Sequence, residues 1–432
     1  MEANHQSECS HPGCSEYRAL SRRGFLARSA AVAAAASAPA WLPRVAMASS
    51  FSSGRDVFVS VFLRGGFDGL TAVPPYGDPF LYDPVTGRPS LGIQPPGQPN
   101  GALDLDGFFG LAPAAAPLLT PWGEQKLAIV HAAGSPDPTR SHFDAMAFME
   151  HGTPLQPLGT VSSGWLARHL QGVAPVQSGP LRGMAVDPLV PRSLAKAPKT
   201  LPVPNPGNFG FPGNPLTEPF RRVAIEGMYS DEPAPLGAAA LNTIGTIDML
   251  ELIDFQNYLP SNGAVYPLSV FGQKLRSTAA LIKADVGVEA ISADIGGWDL
   301  HNALGPITGD MAQLLNDLTL SLEAFYLDMK TSSRSYVLVA KSEFGRRVME
   351  NASAGTDHGR GNAMLVMGDA VVGGQVYANW PGLDPGSLVQ GDLDITTDYR
   401  DVLAEILQVR MNNTDLGFVF PNYSPVFQGI VV

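Results

Sequence analysis

The sequence predicts an α/β chain, a three-layer sandwich with a mostly parallel central sheet, on three observations. Continuous apolar runs such as residues 56–63 (DVFVSVFL) suit strands buried on both faces. Those runs alternate with longer segments of helical periodicity. Glycine-rich turns bearing acidic or histidine residues follow several of the runs, at the edge where an open parallel sheet presents its ligand crevice.

The elements follow in order along the chain. The run 56–63 leads into RGGFDGL (64–70), which puts Asp68 just past the first strand. Residues 127–131 form a second strand and lead, through the loop 134–140, to a helix over 141–151 with Ser141 as N-cap. Another helix covers 163–170. Residues 172–219 are rich in proline and glycine without any repeat, and read as a structured excursion or cap over the sheet. Helices follow at 239–258 and 267–284. A short strand at 288–293 ends in GGWDLH (296–301). An amphipathic helix over 311–330 precedes the strand 336–340, which runs into KSEFGRRVMENASAGTDHG (341–359). A strand at 364–367 and a helix at 398–409 complete the pattern. No dinucleotide fingerprint, P-loop or G-x-S-x-G turn occurs in its required context, which counts against nucleotide enzymes and α/β-hydrolases.

The amino-terminal segment reads as an export signal. SRRGFL (21–26) carries twin arginines, residues 27–41 are apolar and alanine-rich, and Ala46-Met47-Ala48 supplies a small-residue cleavage site. The expected organisation is a signal peptide over 1–48 and a single domain over 49–432. The expected location is the periplasm or outside the cell, with the twin-arginine translocase as a partner during export. That route carries folded proteins, often with an ion bound. The apolar stretch is too short to span a bilayer and no later one is long enough, so no membrane span is expected in the mature form. Both cysteines, Cys9 and Cys14, precede the cleavage site, so the mature chain is expected to have neither disulfides nor thiolate ligands. Removing 1–48 leaves 23 basic against 37 acidic residues, a net charge of −14. With no basic run, nucleic acid is not an expected partner.

Three places carry residues suited to a hard or borderline cation: Asp68, Asp299 with His301, and Asp357 with His358. Asp299 and His301 are two apart, so on extended backbone they point the same way. Any one of these alone reads more simply as a turn or cap residue; together they point to a shared metal site. Carboxylates and imidazoles without sulfur fit one or two divalent ions, Zn²⁺, Mn²⁺, Mg²⁺ or Ca²⁺, and do not choose among them. Ser141 and His142 sit where a loop meets a helix N-terminus, a place that favours anions and can host a nucleophile, although Ser141 alone reads as an N-cap. Arg140 and Arg346 are candidates for neutralising charge on a bound ester, and Glu343 for a base or a ligand. His131, His151 and His169 show no partner pattern and read as structural.

The series RGGFDGL, TRSHFDAMAFMEHG, GGWDLH, SEFGRRVMENASAGTDHG and VVGGQVYANWPGL resembles the twin-arginine-exported family called domain of unknown function 1501, from about Val57 to the carboxyl terminus. That family is similar to the alkaline phosphatases, sulfatases and cofactor-independent phosphoglycerate mutases. The resemblance implies an alkaline phosphatase-like fold with two metal positions. One would take Asp68, Ser141, Asp357 and His358; the other would take Asp299 and His301. The sequence departs from the superfamily pattern: Asp299 and His301 are separated by one residue where the phosphatases have three. No histidine follows His358, so the second position lacks its third ligand unless Glu343 or His142 replaces it. Pro136 stands where sulfatases carry their modified residue, so a formylglycine mechanism is not expected. The resemblance implies a metal-dependent hydrolase of phosphate or sulfate esters, acting on a small anionic ester or on a sulfated or phosphorylated polymer. The alternative is a non-catalytic exported protein that keeps one ion and serves as a binding or assembly partner.

Overall fold

The structure is a computed structural model that describes residues 55–175 and 179–432. The export segment at 1–48 lies outside the described residues. The strands, in chain order, are β1 (Val57–Arg64), β2 (Leu103–Asp104), β3 (Gly110–Leu111), β4 (Leu127–Gly134), β5 (Gly183–Ala185), β6 (Thr200–Pro202), β7 (Ala290–Gly296), β8 (Tyr336–Lys341), β9 (Arg346–Glu350), β10 (Thr356–His358), β11 (Asn362–Gly368), β12 (Gln375–Tyr377) and β13 (Thr397–Asp398). Nine of them form one sheet in the order β12-β4-β11-β8-β1-β7-β5-β6, with β13 pairing beside β12 on β4. β2 and β3 pair with each other, as do β9 and β10.

β1 lies near the middle, parallel to β7 and to β8. Its side chains alternate between two cores, as period-2 geometry requires. Val57, Val59, Val61 and Leu63 face one apolar cluster, and Phe58 and Phe62 face the other. The first core is roofed by α7 (Val270–Lys283), through Phe271, Leu275 and Ala279, and by α8 (Asp310–Met329), through Leu315, Leu318 and Leu322. The opposite core takes α4 (Trp165–Gly172), through Trp165 and Leu170, and α9 (Tyr399–Val409), through Val402 and Ile406. Helices on both faces of the sheet make the three-layer α/β architecture. The remaining helices are α1 (Gly69–Ala72), α2 (Leu119–Gly123), α3 (His142–His151), α5 (Glu218–Tyr229), α6 (Leu236–Glu251) and α10 (Leu416–Val419).

The sheet is mixed at one strand. β11 runs antiparallel to both neighbours, β4 and β8. No crossover helix separates β8 from β11; the chain turns through the β9–β10 hairpin and returns from the same edge, so the next strand must run backwards. This topology places the Asp357–His358 pair on β10, ahead of β11, on the rim where β1, β7 and β8 end. The proline- and glycine-rich stretch at 172–219 is also more than a cap. Within it β5 and β6 extend the sheet from β7, each only three residues long. α5, which follows it, is not among the helices the sequence predicts; Pro219 stands in its first turn and none of its residues is buried.

Candidate metal centre

Three short turns at the rim carry the site. β1 passes into Gly65-Gly66, β7 into Gly297-Trp298-Asp299, and β8 into Ser342-Glu343-Phe344. Gly65 has φ of +120°, and a Cβ there would stand 2.7 Å from the Asp299 amide nitrogen, so only glycine lets the first two turns approach. Arg346, 1 % exposed, ties the turns together. Its guanidinium donates to Gly66 O at 2.6 Å, Thr356 O at 2.9 Å, Trp298 O at 2.9 Å, Gly65 O, and Asp299 Oδ1 at 2.8 Å. It is therefore a positioning residue, with every donor turned inward onto backbone and Asp299.

Three imidazoles converge on one carboxylate oxygen. Asp299 Oδ1 lies 3.1 Å from His301 Nε2, 3.1 Å from His358 Nε2 and 3.3 Å from His142 Nε2. The ligand atoms of His142, Asp299 and His358 lie within 4.8 Å of one another. His301 joins them with its Nε2 2.9 Å from that of His358. The far nitrogen of each ring meets an acceptor. His142 Nδ1 donates to Glu343 Oε1 at 2.7 Å, His301 Nδ1 to Asp357 Oδ1 at 2.9 Å, and His358 Nδ1 to the carbonyl of Arg140 at 2.8 Å. Those bonds place a proton on every Nδ1, so a ring that is neutral turns an Nε2 lone pair towards the others.

The electrostatics follow from these contacts. The Glu343 hydrogen bond raises the pKa of His142 above the ordinary imidazole value, against the effect of burial. Burial lowers that of His358. Burial would raise that of Asp299, but the hydrogen bond and charge of Arg346 hold it well below the usual carboxylate range. The hydrogen bond from His301, then that from Asn351, lowers that of Asp357. The Asp299 and Asp357 side chains are 49 % and 54 % exposed, so the centre opens to solvent. Phe344 closes its inner side, with ring centroids 4.8 Å from both His142 and His358.

The residues present fit a divalent cation. Two lone pairs 2.9 Å apart repel unless a cation or a proton lies between them. A proton shared by His301 and His358 would leave His142 Nε2 a buried nitrogen with no hydrogen-bond partner. The separations of 2.9–3.3 Å around Asp299 Oδ1 and between His301 and His358 are close to the edge of about 3.3 Å expected between ligands bound at zinc–nitrogen lengths, and His142 lies with Asp299 and His358 within 4.8 Å.

The expected site residues divide accordingly. Asp299, His301 and His358 come together as ligand candidates, and His142 joins them as the replacement third histidine. Asp357 and Glu343 stand one bond further out, each holding a histidine. Glu343, 1 % exposed, also accepts Gly65 N–H at 2.8 Å and the Ser342 hydroxyl at 2.8 Å. Asp68 lies elsewhere. It caps α1 by accepting Thr71 N–H at 3.1 Å, and both its oxygens bond Arg88 Nη1 at 2.8 Å in a buried ion pair. The glycine-rich turn does follow a strand end, but the Asp68 carboxylate points into the protein, where Arg88 pairs with it. Ser141 is the N-cap of α3, its hydroxyl accepting Asp144 N–H at 3.5 Å. Arg140 pairs with Asp392. Asn351, which sequence reasoning passed over, bonds both Asp357 Oδ1 and His301 O; nothing in its spacing marks it.

His131 and His169 are structural. His131 is buried against Phe109 and Trp380, donates from Nε2 to Val73 O at 3.0 Å, and accepts Ala132 N–H at 2.8 Å. His169 is buried beside Asn413, with 3.0 Å between them. Trp298 packs edge-on against Phe67 at 4.9 Å.

Comparison with known proteins gives three results. No curated protein matches the chain. Among solved structures, it is similar to the phosphonate monoester hydrolase of Agrobacterium radiobacter, at 9 % identity and a TM-score of 0.28 over 86 % of this chain and 78 % of that one. A superposition of that quality leaves the hydrolase activity a property of that protein alone. The sequence profile described as protein of unknown function (DUF1501) matches residues 256–413, which span Asp299, His301, Glu343, Arg346, Asp357 and His358. Over those residues the chain is similar to that family of unknown function.

Proposed function

We propose that the chain is an exported hydrolase of phosphate or sulfate esters that depends on one divalent ion held by His142, His301, His358 and Asp299. One observation carries the reading: three imidazole Nε2 atoms surround Asp299 Oδ1 while every Nδ1 is held by an oxygen outside the cluster. Three nitrogens and one oxygen favour a transition ion such as Zn²⁺ or Mn²⁺ over Mg²⁺ or Ca²⁺, which prefer all-oxygen shells. A bound ion would act as a Lewis acid on an ester oxygen and make a coordinated water acidic. Glu343, Asp357 and Arg140 hold the rings in the required tautomer, and Arg346 fixes Asp299 among them. The open carboxylates of Asp299 and Asp357 leave a path for substrate. Export rests on the order of signals over residues 21–48.

The binding or assembly reading draws on one fact: the Ser141 hydroxyl serves as a helix cap, so the best nucleophile candidate in the sequence is already committed. A screen of aryl phosphates and aryl sulfates, on protein whose metal content has been measured, separates the two. Turnover that disappears in His358→Ala supports the hydrolase. A stoichiometric ion with no turnover in either class supports the binder.

A further inference from the structure

Next to the metal centre a set of cations is built around one buried carboxylate. Val389 and Asp392 exchange backbone hydrogen bonds of 3.0 and 3.1 Å. Between them Gln390 and Gly391 have φ of +57° and +86°, the signs of a type I′ turn. The turn buries the Asp392 side chain completely. Arg140 Nη2 donates to Asp392 Oδ2, and Arg347 Nε lies 3.3 Å from Oδ1. Arg347 also donates from Nη2 to Gln390 O at 2.6 Å and lies over Gly391, where a Cβ would stand 2.3 Å from that nitrogen.

Arg360 is the third cation. Its charge also acts on Asp392. Its Nη2 reaches Pro136 O only at 3.5 Å, and its buried Nε has no hydrogen-bond partner. Three guanidinium charges thus share one carboxylate, a local excess of positive charge in a chain of net charge −12. Of the nearby carboxylates, Asp357 feels the charge of Arg347 without pairing with it, and Asp137 and Asp394 are engaged with backbone. Asp137 accepts the N–H groups of Thr139 and Leu155, Asp394 accepts that of Ile395, and among the described residues neither forms an ion pair with these arginines. The Arg140 and Arg347 side chains are 37 % and 29 % exposed, so a ligand can reach them.

The cluster adjoins the metal centre through the chain itself. Arg140 O holds His358 Nδ1, Arg360 lies two residues past His358, and the charge of Arg347 also acts on Asp357. Planar guanidinium forks match tetrahedral oxyanions through paired hydrogen bonds.

We propose that Arg140, Arg347 and Arg360 form an anion subsite that binds a phosphate or sulfate group, with Asp392 holding two of the three guanidinium groups in place. Binding at this subsite stands on the arginines alone. Its extension, that the substrate carries a second anionic group beside its scissile ester, rests on the hydrolase reading above.

Isothermal titration of the purified full chain tests the subsite, with metal content measured on the same samples. One arm uses inorganic phosphate and sulfate, and the other uses the same groups carried on a hexose. The expected result is saturable binding, weakened at least tenfold in Arg360→Ala with metal content unchanged, and partly restored in Arg360→Lys. Whichever arm binds more tightly names the source of the anion, and both support the subsite. Unchanged affinity in Arg360→Ala, or no saturable binding in either arm, overturns it. If chelation abolishes binding and Arg360→Ala does not, the anion sits on the metal: the subsite falls while the metal reading stands.

Discussion

His301 and His358 face each other with their Nε2 atoms 2.9 Å apart, and each ring has its Nδ1 bonded to an oxygen on the far side. With both outer nitrogens protonated, two inner lone pairs meet, and a third, from His142, stands 3.3 Å from the same Asp299 oxygen. That arrangement suits a cation among the three rings; in a polar network inner protons would satisfy them.

His142 is the ligand candidate whose loss separates this arrangement from one centred on Asp68. His142→Ala is expected to lower bound metal by at least tenfold, because it removes one of three imidazoles. Elemental analysis after dialysis measures it. Full retention of metal in that variant would exclude His142 as a ligand.

Asp357 and Glu343 hold histidines without being ligand candidates themselves. Asp357→Asn and Glu343→Gln should weaken metal affinity by about 10–100-fold and still leave a site, as replacing outer-shell carboxylates does elsewhere. A competition titration against a chromogenic chelator reads the change. Complete loss of binding in Asp357→Asn would instead place that carboxylate on the ion.

Arg88 and Asp68 form a buried ion pair, and Arg88 also donates to Val348 O at 3.0 Å and Arg347 O at 2.6 Å. Arg88→Ala strands the Asp68 charge and should destabilise the fold by about 3–5 kcal/mol. Urea denaturation gives that figure. The fraction that remains folded is expected to bind metal as the unsubstituted chain does.

His131 and His169 give the stability a pH dependence. Burial lowers His131 to about 4 and His169 to about 3, so both stay neutral in the folded chain where the unfolded chain takes up protons. A depressed folded pKa contributes stability that is full above the unfolded value, near 6.5, and is lost as pH falls towards the folded value. Across its window His131 should cost about 3 kcal/mol and His169 about 5 kcal/mol. His131→Gln should flatten the fall in denaturation midpoint between pH 6.5 and pH 4; an equally steep fall would assign the dependence to other groups.

The parts of this fold that the sequence reveals are those fixed by local pattern. Residues 57–64 read as a buried strand because the run is apolar on both faces, and both faces are covered. The helix at Asp310–Met329 is evident from its long apolar stripe. β5 and β6 escape because three residues between prolines and glycines carry no period. In the site, the Asp-His pairs are visible because both ligating residue types stand close together beside glycines. The misassignment of Asp68 has a physical source: its role depends on Arg88, twenty residues on and reached only through the fold. In the sequence His142 stands out as a helix N-terminal candidate beside Ser141, and as a metal ligand only as a substitute, because its proximity to His358 comes from α3 and β10 meeting at the rim.

The central claim is that His142, His301, His358 and Asp299 hold one divalent ion. Elemental analysis of the purified full-length chain, after loading with Zn²⁺ or Mn²⁺ and dialysis, tests it most directly. The account predicts about one ion per chain, lost in His358→Ala and retained in Asp68→Asn wherever that variant folds. A chain that retains no ion after loading, or that keeps it in His358→Ala, would contradict it.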